Sequence, residues 1–244
     1  MPRPAECARS PVLGLDGPQG LTPILARVLL HTLAHPGSDG RLPTLVALHG
    51  YRSHARDLIA MWPWLAGGRL LMICAEAPHR LEADNNTIVY SWSGADDEGR
   101  TSVEAVIDSG KQVSALIDRA LTLYPIDPER VALLGFGQGG MVAARVALAS
   151  PSRFAGLALL STTTDEARAG ELAVAPDAAQ LPVLIQHGAN DSVTPIVEAF
   201  STSMRLQGLG LKPELQQFPM AGEISLESAQ SLSDWLTRVL RVEA

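Results

Sequence analysis

The residues whose types and spacing could do chemistry begin with Gly135-Phe136-Gly137-Gln138-Gly139-Gly140, which follows the apolar run 131–134 and opens a segment with helical spacing. Strand, tight turn and helix form the setting of a G-x-S-x-G nucleophile elbow, which presents a serine hydroxyl on a sharp bend. Gly135 and Gly139 stand where such a bend lets strand and helix approach closely. The middle position is Gly137. A side chain held at such a bend stores roughly 1–3 kcal/mol of backbone strain. Glycine relieves that strain, so Gly137 eases the turn and removes the hydroxyl the turn would present. The same six residues nearly match a G-x-G-x-x-G dinucleotide loop, with Gly140 on the third glycine. That reading lacks its second feature: the strand comes late, and no acidic residue ends a following strand about 20 residues on.

The elements that must position this turn alternate along the chain. Strands are expected over 25–33, 44–48, 69–75, 130–134, 154–160, 182–186 and 214–218. Helices are expected over 57–65, 101–123, 139–149, 195–206 and 226–240. Short apolar runs such as 44–48 are what strands buried on both faces require. The 101–123 segment carries Val103, Val106, Ile107, Val113, Leu116, Ile117, Ala120 and Leu121 on one helical stripe, closed by Pro125 and Pro128. Residues 78–99 read as polar and irregular. Alternating strand and helix implies an α/β fold with a mainly parallel central sheet and helices on both faces. Residues 1–20, rich in Pro and Gly, read as a lead-in, and 21–244 as one domain.

The bulk numbers exclude several classes. Of 244 residues, 46% are hydrophobic and 18% charged, a core-rich composition. A net charge of −7 argues against a nucleic-acid partner and against docking on anionic lipid. No apolar stretch approaches the roughly 20 residues of a membrane span; 21–34 comes nearest and is interrupted by Pro23, Arg27 and His31. The N-terminus lacks the apolar core of a signal peptide. Cys7 and Cys74 make no disulfide framework, and Cys74 reads as a small core residue, so a cytoplasmic, reducing compartment is expected. No spacing of His, Cys, Asp and Glu suggests a metal, and no cofactor is expected.

Four stretches resemble one family. Leu48-His49-Gly50-Tyr51, followed by Asp57-Leu58, resembles a strand-to-loop segment that builds half of an oxyanion hole. Gly135-Phe136-Gly137-Gln138-Gly139-Gly140 is similar to a G-F-S-Q-G-G elbow with its serine replaced. Gln186-His187-Gly188-Ala189-Asn190-Asp191, with Val193 and Pro195, is similar to an H-G-x-x-D-x-x-V-P acid loop. Pro219-Met220-Ala221-Gly222-Glu223-Ile224-Ser225 is similar to an M-G-H-E-I histidine loop with glycine and histidine both changed. The family is the phospholipase/carboxylesterase group of α/β hydrolases, which includes the acyl-protein thioesterases, and the resemblance covers about residues 40–240. It implies an α/β-hydrolase fold. It puts the acid on Asp191 and the oxyanion donors on the backbone N–H groups of Tyr51 and Gln138. It also puts the nucleophile position on Gly137 and the base position on Gly222.

A triad in this fold runs nucleophile, acid, base along the chain. None of the six histidines (His31, His35, His49, His54, His79, His187) follows Asp191. His49 and His187 belong to His-Gly turns at strand ends and read as structural. His54 and His79, in loops near the expected mouth, are the candidates for a relocated base. Ser161 ends the next strand, where a hydroxyl usually caps. Tyr51, Trp92 and Met220 are candidates to line the cavity, although Trp92 and Met220 read more readily as core. Three readings stay open. One is a catalytically degenerate scaffold that binds a small acyl or ester ligand. The second is a carboxylesterase or thioesterase with displaced catalytic groups, or an inactivated variant of one. The third is an interaction module, a homodimer among its forms.

Overall fold

The computed structural model describes residues 29–37, 39–82, 87–93 and 102–243. The expected lead-in, residues 1–20, lies outside them. Seven strands form one sheet in the order β1-β3-β2-β6-β7-β8-β9. They are β1 (His31–Ala34), β2 (Leu42–Leu48), β3 (Leu71–Ala75), β6 (Ile126–Phe136), β7 (Gly156–Leu160), β8 (Val183–Gly188) and β9 (Glu214–Phe218). β1 runs antiparallel to β3, and every other pairing in this sheet is parallel. The mainly parallel sheet expected from the alternation is therefore present.

Strand periodicity divides the interior into two cores, since successive side chains point to opposite faces. Val46, Leu48, Leu71, Ile73, Leu133, Leu157 and Ile185 face one way. They pack against α2 (Val103–Leu123), α3 (Gln138–Ala149) and α5 (Ile196–Gly208) through Val113, Met141, Val142 and Leu206. Leu45, Ala47, Met72, Cys74, Leu134 and Leu184 face the other way. They meet α1 (Ala55–Ile59) and α6 (Leu226–Val239) through Leu58, Leu232, Trp235 and Leu236. Cys74 is fully buried in this second layer, as its apolar surroundings led us to expect. Burial, then the charge of Glu76, pushes its thiol well above the ordinary range.

The structure corrects three expectations about elements. The early strand is shorter than 25–33: it starts at His31, and residues 25–28 lie outside the described set. The helix expected over 57–65 ends at Ile59, and a separate 3₁₀ turn, Trp62–Trp64, carries Pro63, which cannot continue an α-helix. The segment read as irregular contains a hairpin, β4 (His79–Glu82) against β5 (Ile88–Ser91), whose turn chemistry the sequence does not announce. In addition, β6 begins at Ile126, four residues before the strand expected from residue 130. A bulge opposite Leu42 and Thr44 admits Pro128 there, a placement that proline tolerates in a strand.

The parallel strands end together, and their carboxyl ends deliver the loops that matter, as this architecture requires. β2 leads to His49-Gly50-Tyr51, β6 to Gly137, β7 to Ser161, and β8 to the 189–195 loop. Packing is very close at the start of α3. A Cβ on Gly139 would overlap the carbonyls of Leu48 and His49. Gly208, by contrast, has nothing within 4 Å of such an atom. Gly139→Ala should therefore destabilise the fold by about 1–3 kcal/mol or more through overpacking. Gly208→Ala should stabilise it by about 0.4–1 kcal/mol. Urea titrations of the two variants check the contrast.

Candidate functional site

At the carboxyl end of β6 the chain turns through Gly137, with φ 51° and ψ −118°, directly into α3. This is backbone that side chains rarely adopt, and glycine enters it without penalty. Two hydrogen bonds hold the turn. The Gly137 N–H donates to the Leu160 carbonyl at 2.9 Å, and Thr162 Oγ1 donates to the Gly137 carbonyl at 2.5 Å. A Cβ on Gly137 would meet only Gly50 Cα at 3.7 Å and the Ser161 carbonyl at 3.9 Å. The space for a side chain is open.

Gln138 opens α3, so its N–H has no partner within the helix. Its side chain is buried and does something the sequence did not signal. Oε1 accepts from the Trp92 N–H at 2.7 Å and from Ser91 Oγ at 3.1 Å, while Nε2 donates to Ser93 Oγ at 2.5 Å. One glutamine thereby ties the end of the β4–β5 hairpin to the first turn of α3. Trp92 is fully buried and donates from Nε1 to the His49 carbonyl at 2.8 Å. It is core, not cavity wall.

His49 positions the facing loop. It is fully buried, and its Nδ1 lies 2.8 Å from the Gly50 carbonyl. A carbonyl only accepts, so the hydrogen is on Nδ1. Because the peptide is planar, fixing the Gly50 C=O also fixes the opposed N–H of Tyr51. Nε2 lies 3.1 Å from both the Ala77 amide and Glu76 Oε1, which secures the ring from its other side. The reading of His49 as structural holds, and so does that of His187. The latter is fully buried, with Nε2 donating to the Thr194 carbonyl at 2.6 Å.

Asp191 follows β8. Its Oδ1 accepts from the Val193 and Thr194 N–H groups, each at 2.9 Å. The loop is pinned to the segment after β9 by Ala189 N–H to the Phe218 carbonyl (2.8 Å) and Asn190 N–H to the Met220 carbonyl (3.0 Å). That pairing brings Gly222 against the acid. A Cβ built on Gly222 would lie 2.9 Å from Asp191 Oδ1 and 3.0 Å from Oδ2, so the carboxylate rests on bare glycine backbone.

Gly137, Gln138, Tyr51, Asp191 and Gly222 all line one cavity of about 430 Å³, within the range of small-molecule sites. Ser53, Ser93, Ser161, Thr162, Arg168 and Thr194 contribute polar groups, and Phe136, Met141 and Val193 apolar ones. Arg145 Nη2 donates to the carbonyls of Ala169 and Glu171, which steadies the backbone beside Arg168. Neither relocated-base candidate lines the cavity. His54 precedes α1, with Nδ1 3.3 Å from Asp57 Oδ1, and His79 begins β4, paired with Ser91. Met220 is buried outside the cavity wall. Ser161 does reach the wall, but it is no cap: its φ is 44°, and its buried Oγ has no hydrogen-bond partner. No cluster of three or more His, Cys, Asp or Glu able to hold a metal exists among the described residues. None of their helices is long and apolar enough to cross a membrane.

Comparison with known proteins was made against this geometry. The model of the phospholipase/carboxylesterase family matches residues 34–240. A probable carboxylesterase of Oryza sativa subsp. japonica is 29% identical over 167 residues, 66% of this chain and 62% of that protein. A probable inactive carboxylesterase of the same plant is 29% identical over 160 residues, 63% of this chain and 64% of its own length. The chain thus spans somewhat under two thirds of the curated relatives it matches. Among solved structures, a carboxylesterase from Mesorhizobium loti superposes with TM-score 0.72 at 19% identity, covering 89% of this chain and 98% of that one. Esterase PE8 gives TM-score 0.70 at 24% identity, covering 86% and 99%. At these identities the structures establish the α/β-hydrolase fold.

The two bare positions differ in room. Gly137→Ser should fold with a loss of about 1–3 kcal/mol, set by backbone strain alone. Gly222→Ala should displace a carboxylate anchored by two N–H donors. Its methyl should move the Val193 and Thr194 amide signals in a ¹H–¹⁵N spectrum, whereas Gly137→Ser should leave those two in place.

Proposed function

The chain belongs to the phospholipase/carboxylesterase family of α/β hydrolases, and from that premise we propose that it binds a small acyl or ester ligand in this cavity without hydrolysing it efficiently. One observation carries the reading: the elbow bears no hydroxyl, and no histidine lines the cavity among the described residues. Two-step acyl transfer needs an oxygen to attack the carbonyl and a base to take its proton. We assign these two vacated roles to positions Gly137 and Gly222, and the acid to Asp191.

The electrostatic half of such a site is made of main-chain groups. We assign the oxyanion donors to the N–H groups of Tyr51 and Gln138. Both are main-chain groups held by buried contacts, the first by His49 and the second by the side-chain bonds of Gln138 to Ser91 and Ser93. Two such donors hold a carbonyl or carboxylate oxygen. They also leave a residual acceleration of about 10³–10⁴-fold over water once triad members are removed. Removing one member costs nearly as much as removing all, so an acid alone supplies little. The name of the second rice relative accords with this reading. The free, buried Cys74 suits the reducing cytoplasm proposed for the chain.

Ser161 favours a second reading, hydrolysis by a displaced nucleophile, because it stands at the cavity wall with a left-handed backbone. Its Oγ lacks any base within hydrogen-bonding reach, so the first reading is preferred. Incubation with a fluorophosphonate probe should leave the intact mass unchanged. Short p-nitrophenyl esters should show no burst, and their slow residual hydrolysis should saturate with ester concentration. A stoichiometric burst, or an adduct mapped to Ser161, would establish the second reading instead.

A further inference from the structure

Asp191 is the one feature of the cavity that the binding of a plain acyl group leaves without a task. Its side chain is 1% exposed, yet it forms part of the cavity wall. Oδ1 is satisfied by two backbone N–H donors. Among the described residues Oδ2 accepts no hydrogen bond. It lies 3.7 Å from His187 Nε2, whose hydrogen is directed to the Thr194 carbonyl. Arg168 lines the same cavity and forms no ion pair among the described residues. The site therefore holds one anion and one cation, apart from each other.

A buried carboxylate oxygen without a cationic or hydrogen-bonding partner is costly, even where the other oxygen is satisfied. With no imidazole beside it at Gly222, the partner has to come from the ligand. A protonated amine supplies a charge-assisted hydrogen bond, roughly twice as strong as a neutral one. The other end of the ligand meets groups of opposite character: the N–H groups of Tyr51 and Gln138, and the guanidinium of Arg168.

We propose that the cleft is selective for small ligands carrying both a protonated amine and a carboxylate or carbonyl, with the ammonium on Asp191 Oδ2 beside Gly222 and the carbonyl end at Gly137. This rests on the binding reading of the preceding subsection and names the ligand class for that site. It makes the former acid a recognition residue. It also gives Gly222 a purpose, since any side chain there would crowd the carboxylate that receives the amine.

Calorimetric titration of the full chain with β-alanine, γ-aminobutyrate and ε-aminocaproate, against propionate, butyrate and caproate, tests it. At one chain length the amino acid should bind at least about tenfold more tightly than its amine-free counterpart. In Asp191→Asn that preference should fall to within about twofold, while the plain acids keep their affinity. Gly222→Ala should erode the preference in the same direction. Because the contrast between matched ligands is read first on the unaltered protein, a variant that fails to fold does not rescue the proposal. Equal affinities within every pair, absence of any binding, or a preference that survives in Asp191→Asn overturns it. Equal affinities with saturable binding of the plain acids leave the preceding reading standing. A burst with activated esters sinks that reading whatever the amine preference.

Discussion

The approach of the first turn of α3 to the ends of β2 and β7 is the constraint from which the site follows. A parallel sheet brings strand ends together but leaves their loops free to splay. Here they cannot, because Gly139 lies against the carbonyls of Leu48 and His49, and a Cβ on Gly140 would come within 2.5 Å of Thr162 Oγ1. Thr162 in turn holds the Gly137 carbonyl. Three strand ends are thus locked into one rigid floor by contacts that only glycine permits. Tyr51 and Gln138 border the cavity because that floor exists.

Polar groups buried behind the floor then fix its orientation. His49 constrains the Gly50–Tyr51 peptide, and Trp92 holds the carbonyl of His49. Gln138 fastens the hairpin end to α3. Interactions of this kind are worth about 1 kcal/mol each when made, and more when one partner is removed and the other stays buried. Their combined effect is preorganisation: donors held in place before a ligand arrives do not have to be ordered by it.

Much of this was legible in the chain itself. The period of the apolar runs located most of the sheet and the long helices, because burial on both faces leaves a strand little choice of composition. The glycine pattern around Gly137 located the elbow, since close backbone approach tolerates no other residue. What stayed hidden depends on long-range partners. The β4–β5 hairpin is two four-residue strands, the first mostly polar with alternating burial, and contacts to Ser53 and Gln138 hold it in place. Proximity in the chain also misled: His54 follows a wall residue, Ser53, yet its ring turns to Asp57. The contact between Gly222 and Asp191 joins loops 31 residues apart, so no local pattern carries it.

The residues that match the family pattern and those that depart from it divide along a physical line. His49, Gln138, Gly139 and Asp191 each satisfy a buried neighbour or allow a close approach. Removing any of them would expose an unpaired group or force the backbone apart, whatever the protein does. Gly137 carries no such duty, since a side chain there would touch little, whereas Gly222 allows the close approach of the Asp191 carboxylate. Asp191 keeps its loop together through Oδ1, whatever occupies the cavity. Its other oxygen, Oδ2, accepts no hydrogen bond among the described residues, although Asp191 lines the cavity.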